Sequence, residues 1–175
     1  MELRLLGPDD LDALTALFER VPEGDRTFFK EDVLDPEVVA AWTHDRHARR
    51  FIALADGAVV AYAAVIPGIG WSSHVGELRL VVDPAYRRRG VGRTLAQRAM
   101  LEAFEIGLHK LSVDVVADQA PAIQLFQVLG FAGEAILRDH VRDRDGRLHD
   151  LIVLAHVVDE NWALLATAGI EDALT

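Results

Sequence analysis

The chain contains no cysteine. That excludes disulfides, thiolate catalysis and Cys-ligated zinc. No apolar run reaches the ~18 residues that a membrane-spanning helix needs. The first residues, Met1-Glu2-Leu3-Arg4-Leu5, lack the apolar stretch and cleavage site of a secretory signal. These absences lead to the expectation of a cytoplasmic protein with no membrane role. Positive charge is scarce too: 18 Lys and Arg stand against 28 Asp and Glu, a net charge of −10. So acidic a chain is a poor general binder of nucleic acid, whose affinity comes mostly from phosphate neutralisation. No repeat, no low-complexity segment and no metal-ligand cluster of credible spacing is present, so no metal is expected.

What is present suits one folded unit. The 175 residues are 51% hydrophobic and 26% charged, which predicts a single domain over 1–175. A strand is expected at 2–6, followed by a helix carrying Leu11, Leu14, Leu17 and Phe18, with Asp9 or Asp10 as its cap. Residues 21–34 show no clear period. Asp35-Pro36-Glu37 opens a second helix. Strands over 51–55 and 58–66 flank the two-residue turn Asp56-Gly57, and 75–82 is a third strand of this run. A helix follows over 91–106, with Val91, Leu95, Ala99 and Ala103 on one face and Gly107 at its end. The run 111–116 is β-branched and reads as a strand. Asp118 is placed to cap a helix carrying Pro121, Leu125, Phe126 and Leu129. Two strands, 134–142 and 149–157, and a helix over 159–174 close the chain. This order predicts a mixed sheet with helices on its faces.

The chemistry concentrates in Val81-Val82-Asp83-Pro84-Ala85-Tyr86-Arg87-Arg88-Arg89-Gly90-Val91-Gly92-Arg93. A strand ends, a basic loop with two glycines follows, and a long helix begins. Helix N-termini offer free N–H groups and partial positive charge, which suits a phosphate or pyrophosphate. A P-loop would need Lys and Ser or Thr after the glycines. A dinucleotide fingerprint would need Gly where Leu95 stands. Neither pattern is met. A tight turn with solvated arginines is the plain alternative at this point.

With Arg87-x-x-Gly90-x-Gly92 directly after Val82-Asp83-Pro84, and with Ala122-Ile123-Gln124-Leu125-Phe126-Gln127-Val128-Leu129-Gly130-Phe131 downstream, the chain resembles the GNAT superfamily of acyl-CoA-dependent N-acyltransferases. The two blocks fall within a CoA-binding core over 75–131. The resemblance implies an α/β (α+β mixed) fold: a central mixed, mostly antiparallel sheet with a splayed strand pair and helices on both faces. It implies that the backbone N–H groups of Arg88, Arg89, Gly90, Val91, Gly92 and Arg93 hold the CoA pyrophosphate, with the arginines, Arg87 included, adding charge. Leu80, Val81 and Val82 would pair with the pantetheine arm, at a bulge that splays their strand from 111–116. Gln119, where Asn is common, keeps an amide for the same arm. Phe126 stands where many members carry a Tyr that acts as general acid, and Phe has no proton to give. It would pack against pantetheine or in the core.

Glu77 is the candidate general base, acting through water, and ion pairing with Arg79 is the alternative. His74 is a second candidate. The resemblance places acceptor binding on 25–31 and 139–147. Asp25, Glu31 and Asp32 would attract a cationic amine, with ordinary solvation as the alternative, and Phe28, Phe29 and Trp71 are candidates for an apolar wall or for buried packing. The implied activity is acetyl transfer from acetyl-CoA to a primary amine of a small molecule, an amino acid or a protein. The alternative is a non-catalytic acyl-CoA sensor. A nucleotide enzyme is disfavoured by the missing third Gly. The last helix, with Trp162, Leu164, Leu165 and Ile170, either caps the core or forms a homodimer.

Overall fold

The computed structural model describes residues 1–26 and 28–158. Its elements run β1 (Glu2–Leu5), α1 (Leu11–Arg20), α2 (Glu23–Arg26), α3 (Pro36–His44), β2 (Arg49–Ala55), β3 (Ala58–Pro67), β4 (Val75–Val82), α4 (Val91–Glu105), β5 (Lys110–Val116), α5 (Ala120–Val128), β6 (Ala132–Arg142) and β7 (Leu148–Val157). The helix expected at 159–174 lies outside the described residues. Among these residues no helix is long and apolar enough to cross a membrane.

Seven strands form one sheet in the order β1-β2-β3-β4-β5-β7-β6. The β2–β3 hairpin turns on Asp56 and Gly57, whose φ values of 52° and 79° give the turn its hand. All neighbours are antiparallel except β4 and β5. That parallel pair meets at three positions, Val75↔Lys110, Gly76↔Leu111 and Glu77↔Ser112. Both strands then continue without each other, β4 to Val82 and β5 to Val116. The sheet therefore opens as a wedge with its apex at Glu77 and Ser112. The expected bulge is not what opens it. β4 keeps an unbroken register with β3 from Pro67↔Gly76 to Ala61↔Val82. β5 is paired with β7 over its whole length. Each wall of the wedge is thus held by its outer neighbour.

Alternation along the strands sorts side chains to two layers. On one face α4 packs over β2, β3 and β4. Leu95, Ala96, Ala99 and Ala103 are buried there with Leu78, Leu111, Val113 and Val115. On the other face Phe18 of α1 lies edge-on to Phe29, Trp42 and Tyr62, at centroid distances of 5.5, 5.9 and 5.9 Å. Val81 belongs to this second layer. By the same alternation Glu77 and Arg79 of β4, and Ser112 and Asp114 of β5, face the side of α1 and α3.

Two expected caps are corrected. Asp10 does not cap α1: its carboxylate binds Arg4 at 2.6 Å and accepts the Gly7 N–H at 2.8 Å. Asp118 does not cap α5, whose N-cap is Gln119 without a side-chain bond. The Asp118 carboxylate is taken by His149 instead. Asp35 does cap α3, accepting from the Glu37 N–H at 2.9 Å.

Candidate active site

The loop between β4 and α4 is built to leave amides free. Asp83 anchors its start: the buried carboxylate accepts from the Ala85 N–H and pairs with Arg20 Nε at 2.6 Å. Burial pushes the Asp83 carboxyl up, but the bonds from Arg20 and Ala85 outweigh it and hold it below the usual range. Arg88 and Gly90 then both take positive φ, 59° and 82°. Such alternation turns successive N–H groups toward one point. Gly90 is the N-cap of α4 and makes no side-chain cap. The first intrahelical bond runs from the Thr94 N–H to the Gly90 carbonyl at 3.0 Å. The amides of Val91, Gly92 and Arg93 precede it, so helix geometry gives them no partner within the helix. At Gly92 the helix crosses β4 so closely that a Cβ would meet Val82 Cγ2 at 3.3 Å.

The four arginines of this loop and of the first turn of α4 divide in use. Arg87 is committed: Nε donates to the Val82 carbonyl at 3.1 Å and Nη2 to Asp25 at 2.6 Å. Arg89 lies over the Tyr86 ring, 5.3 Å from its centroid. Arg88 and Arg93 are exposed. Leu80 and Val82 are half-buried and pack against the α4-side core, while Val81 points to the opposite layer. These three line the β4 wall of the wedge.

At the apex lies a chain of charges. Glu31 binds Arg79 Nη1 through both oxygens, at 2.6 and 2.7 Å. Arg79 Nε donates to Glu77 at 2.9 Å. Lys30 Nζ lies 2.7 Å from Glu77 and 2.8 Å from Asp114. Lys30 therefore bridges β4 and β5 where they part. Burial pushes the Glu77 carboxyl up, but the hydrogen bonds from Arg79 and Lys30 outweigh it and hold it below its ordinary value. Burial likewise pulls the Lys30 ammonium down, and its bonds to Asp114 and Glu77 more than reverse this. Glu77 thus occupies the apex and pairs with Arg79 as well.

Beside Lys30 a cavity of about 330 Å³ is lined by Phe28, Asp114, Val116, Gln119, His140 and Leu151, among others. Its wall is braced by His149, whose Nδ1 and Nε2 each lie 2.8 Å from a carboxylate, those of Asp118 and Asp143. Phe28 packs edge-on against the same ring at 5.4 Å. The hydrogen bonds to Asp143 and Asp118 raise the His149 pKa. The clamp ties the β6–β7 turn to the start of α5. Both segments expected to bind the acceptor thus border this cavity.

Several expected residues stand elsewhere. His74 does not join Glu77. It precedes β4 at the closed end of the wedge, where its carbonyl accepts from the His109 and Lys110 N–H groups. Trp71 forms no wall; it sits in a turn at 70–72 and is 94% exposed. Phe29 is packed on Phe18, and only Phe28 reaches the cavity. Asp25 and Glu31 do not wait for a cation, since Arg87 and Arg79 hold them. Phe126 is 3% exposed and packs edge-on against Phe131 at 5.4 Å, a core residue. A Tyr there would bury a hydroxyl at a cost of about 1–3 kcal/mol. The chain has two tyrosines. Tyr62 is buried, its hydroxyl accepts from Arg50 at 3.1 Å, and burial pushes it up to about 12. Tyr86 lies on the β4–α4 loop under Arg89.

Lys30, Asp114 and His149 were not evident as site residues from the sequence. Asp114 carried one signal, a charge inside the apolar run Val113-Asp114-Val115. His149 and Lys30 carried none, because their partners are distant in the chain.

Comparison with known proteins agrees with this geometry. A model of the acetyltransferase (GNAT) family matches residues 12–131. The ribosomal protein bS18-alanine N-acetyltransferase of Escherichia coli is 38% identical over 76 residues, which are 43% of this chain and 51% of that protein. The chain thus spans about half the length of the first such relatives. The L-methionine sulfoximine/L-methionine sulfone acetyltransferase of Salmonella typhimurium is 26% identical over 171 residues, covering 93% of this chain and 98% of the relative. Among solved structures, the ribosomal-protein-alanine N-acetyltransferase from Brucella melitensis has a TM-score of 0.79 at 27% identity, covering 90% of this chain and 99% of that one.

Proposed function

Because the chain belongs to the GNAT acetyltransferase family, we propose that it moves an acetyl group from acetyl-CoA to a primary amine by direct attack. The observation that carries this reading is the wedge between β4 and β5, with free helix amides at its wide end and a carboxylate at its apex. In this reading the amides of Val91, Gly92 and Arg93 hold the pyrophosphate, and Arg88 and Arg93 add charge. Leu80, Val81 and Val82 offer an unpaired strand edge to the pantetheine arm, and Gln119, the N-cap of α5, supplies an amide to it. Glu77 takes a proton from the acceptor ammonium through water. Such an amine has a pKa of ~10.4 and must be neutral to attack. The amine nitrogen then bonds the thioester carbonyl carbon, the C–S bond breaks, and solvent protonates the departing thiolate, since Phe126 has no proton to give.

A carboxylate held low by two cations is a weak base. Lys30 must therefore leave Glu77 before Glu77 can work, and burial will then raise its pKa. Acceptors enter on the α1–α3 face, through the cavity beside Lys30. Small molecules, amino acids and protein amines are the arms of the acceptor screen. The reading places the protein in the cytoplasm, and a homodimer is the oligomeric state that sedimentation would check.

The first test is thermal unfolding with CoA, acetyl-CoA, NAD and ATP. A ligand at ~100 times its dissociation constant stabilises by about 2.7 kcal/mol, or roughly 5–10 °C for a chain of this size. A shift with CoA species alone is expected. Preference for NAD or ATP would revive a nucleotide enzyme. The second reading, a sensor without turnover, draws on Lys30 occupying Glu77 and on Phe126. One acetylated amine formed at an enzymatic rate excludes it.

A further inference from the structure

We propose that Lys30 is itself an acetyl acceptor, so that the chain acetylates its own side chain at the apex of the β4–β5 wedge. The inference rests on the acetyltransferase reading above. Lys30 Nζ stands 2.7 Å from Glu77 and 2.8 Å from Asp114, one carboxylate on each diverging strand. It is the primary amine already in contact with the candidate base. Its side chain is 46% exposed, so solvent and substrate reach it.

The choice of residue argues for chemistry beyond a structural tie. Of the 18 basic residues 16 are Arg, and the lysines are Lys30 and Lys110. A cation that merely joined two carboxylates would be better supplied by Arg, whose fork binds carboxylates bidentately and never gives up its proton. This chain uses Arg in that way at Arg79, which joins Glu31 and Glu77, and at Arg4, whose two Nη atoms bind both oxygens of Asp10. At the apex it uses a side chain that can lose a proton and attack a carbonyl. Lys110, by contrast, pairs with Glu134 at the closed end.

The step balances. Once Nζ has swung clear of the Glu77 and Asp114 carboxylates, burial raises the pKa of Glu77, and Lys30 Nζ gives one proton to it through water. Its lone pair bonds the thioester carbonyl carbon, the C–S bond breaks, and CoA leaves as a thiolate that solvent protonates. The second amine proton leaves with the collapse of the adduct. Lys30 becomes a neutral acetamide, and Glu77 and Asp114 lose the cation that tied them to the segment 28–32.

The experiment uses the full chain with acetyl-CoA alone, read by intact mass and peptide mapping. One acetyl group per chain is expected, on Lys30, at a rate independent of protein concentration. Lys30→Arg keeps the charge and should remain unmodified. Glu77→Gln should slow the reaction ~10²-fold or more, and Lys110 should lag Lys30 by a similar factor. Equal labelling of both lysines, indifference to Glu77→Gln, or a rate rising with protein concentration would overturn the inference, because each marks solution chemistry or transfer between chains. The CoA thermal shift and thiol release with an amine panel are run beside it. An unmodified Lys30 in a chain that acetylates an added amine overturns this inference and leaves the enzyme reading standing. Absence of any CoA shift overturns both.

Discussion

The two ends of β4 handle charge in opposite ways. At its C-terminal end the loop to α4 and the first turn of that helix expose Arg88 and Arg93 and leave three helix amides without an intrahelical partner. Toward its N-terminal end Glu31, Arg79, Glu77, Lys30 and Asp114 satisfy one another in a continuous chain of ion pairs. In the proposed reading the first end takes the CoA pyrophosphate, and binding there needs little rearrangement. The second end is filled by the protein's own side chains, so an incoming amine must compete with Lys30. On the proposed function the donor side is thus preorganised and the acceptor side is gated by its own cation.

The strongest way to break this comparison is Glu77→Gln. If the apex does the chemistry, kcat should fall about 10²–10⁴-fold, while the CoA-induced thermal shift stays within a degree or two of the parent's. Stopped assays across several amines measure the first, and melting curves the second. A variant that keeps its turnover would remove Glu77 from the base role. The converse is Gly92→Val at the donor end. The added side chain would press on Val82, where even a Cβ sits at 3.3 Å. Overpacking of this kind costs about 1–3 kcal/mol of stability, so the melting temperature should fall by several degrees, and displacement of the Gly92 amide should weaken CoA binding by calorimetry.

A milder change sharpens the division among the arginines. Replacing both Arg88 and Arg93 by Ala should raise KM for acetyl-CoA about 3–10-fold and flatten its dependence on salt, since exposed charges act through a screened field. Kcat should stay near that of the parent. Arg87→Ala should behave differently. Its guanidinium holds Asp25 and the Val82 carbonyl, so melting temperature should fall as well as affinity.

The same contrast explains what could be read from sequence. The donor end was legible because its parts are contiguous: the strand was placed at 75–82, as observed, and the glycines and arginines follow within one turn. The acceptor end was not. Segment 21–34 shows no apolar period because ion pairs to remote elements hold it. Asp25 reaches Arg87, Glu31 reaches Arg79, and Lys30 reaches Asp114 across 84 positions. No local pattern encodes such pairs. The wedge was inferred correctly in place and incorrectly in cause, since outer-neighbour registers rather than a bulge define it. Trp71 misled for a related reason: aromatic residues are usually covered, and this one sits in a turn with its ring in solvent.

The smallest expected effect is the pH dependence of stability at the two ends, and its sign follows from the direction of each shift. Glu77 and Asp83 are held below their ordinary values in the folded chain. Their contribution is present above the unfolded carboxylate range of ~4 and is lost as pH falls through the lower folded values. Lys30 is held above its ordinary value. Its contribution is complete below the unfolded value of ~10.4 and disappears as pH rises through the folded one. The acceptor-end chain is therefore fully stabilising between about pH 5 and pH 10 and weakens on both sides. Asp83, at the donor end, weakens on the acid side alone. Melting curves of the parent, Glu77→Gln and Asp83→Asn from pH 3 to pH 11 separate the two. Near neutrality each variant should melt about 2–4 °C below the parent, the size of a ~1 kcal/mol loss in a chain of this length. Both gaps should narrow toward zero as pH falls. On the alkaline side the Glu77→Gln gap should narrow again as Lys30 discharges, and the Asp83→Asn gap should not. A Glu77→Gln gap that stayed constant at both extremes would mean that packing, not charge, holds 28–32 over the apex, and the gate would then open by a different motion.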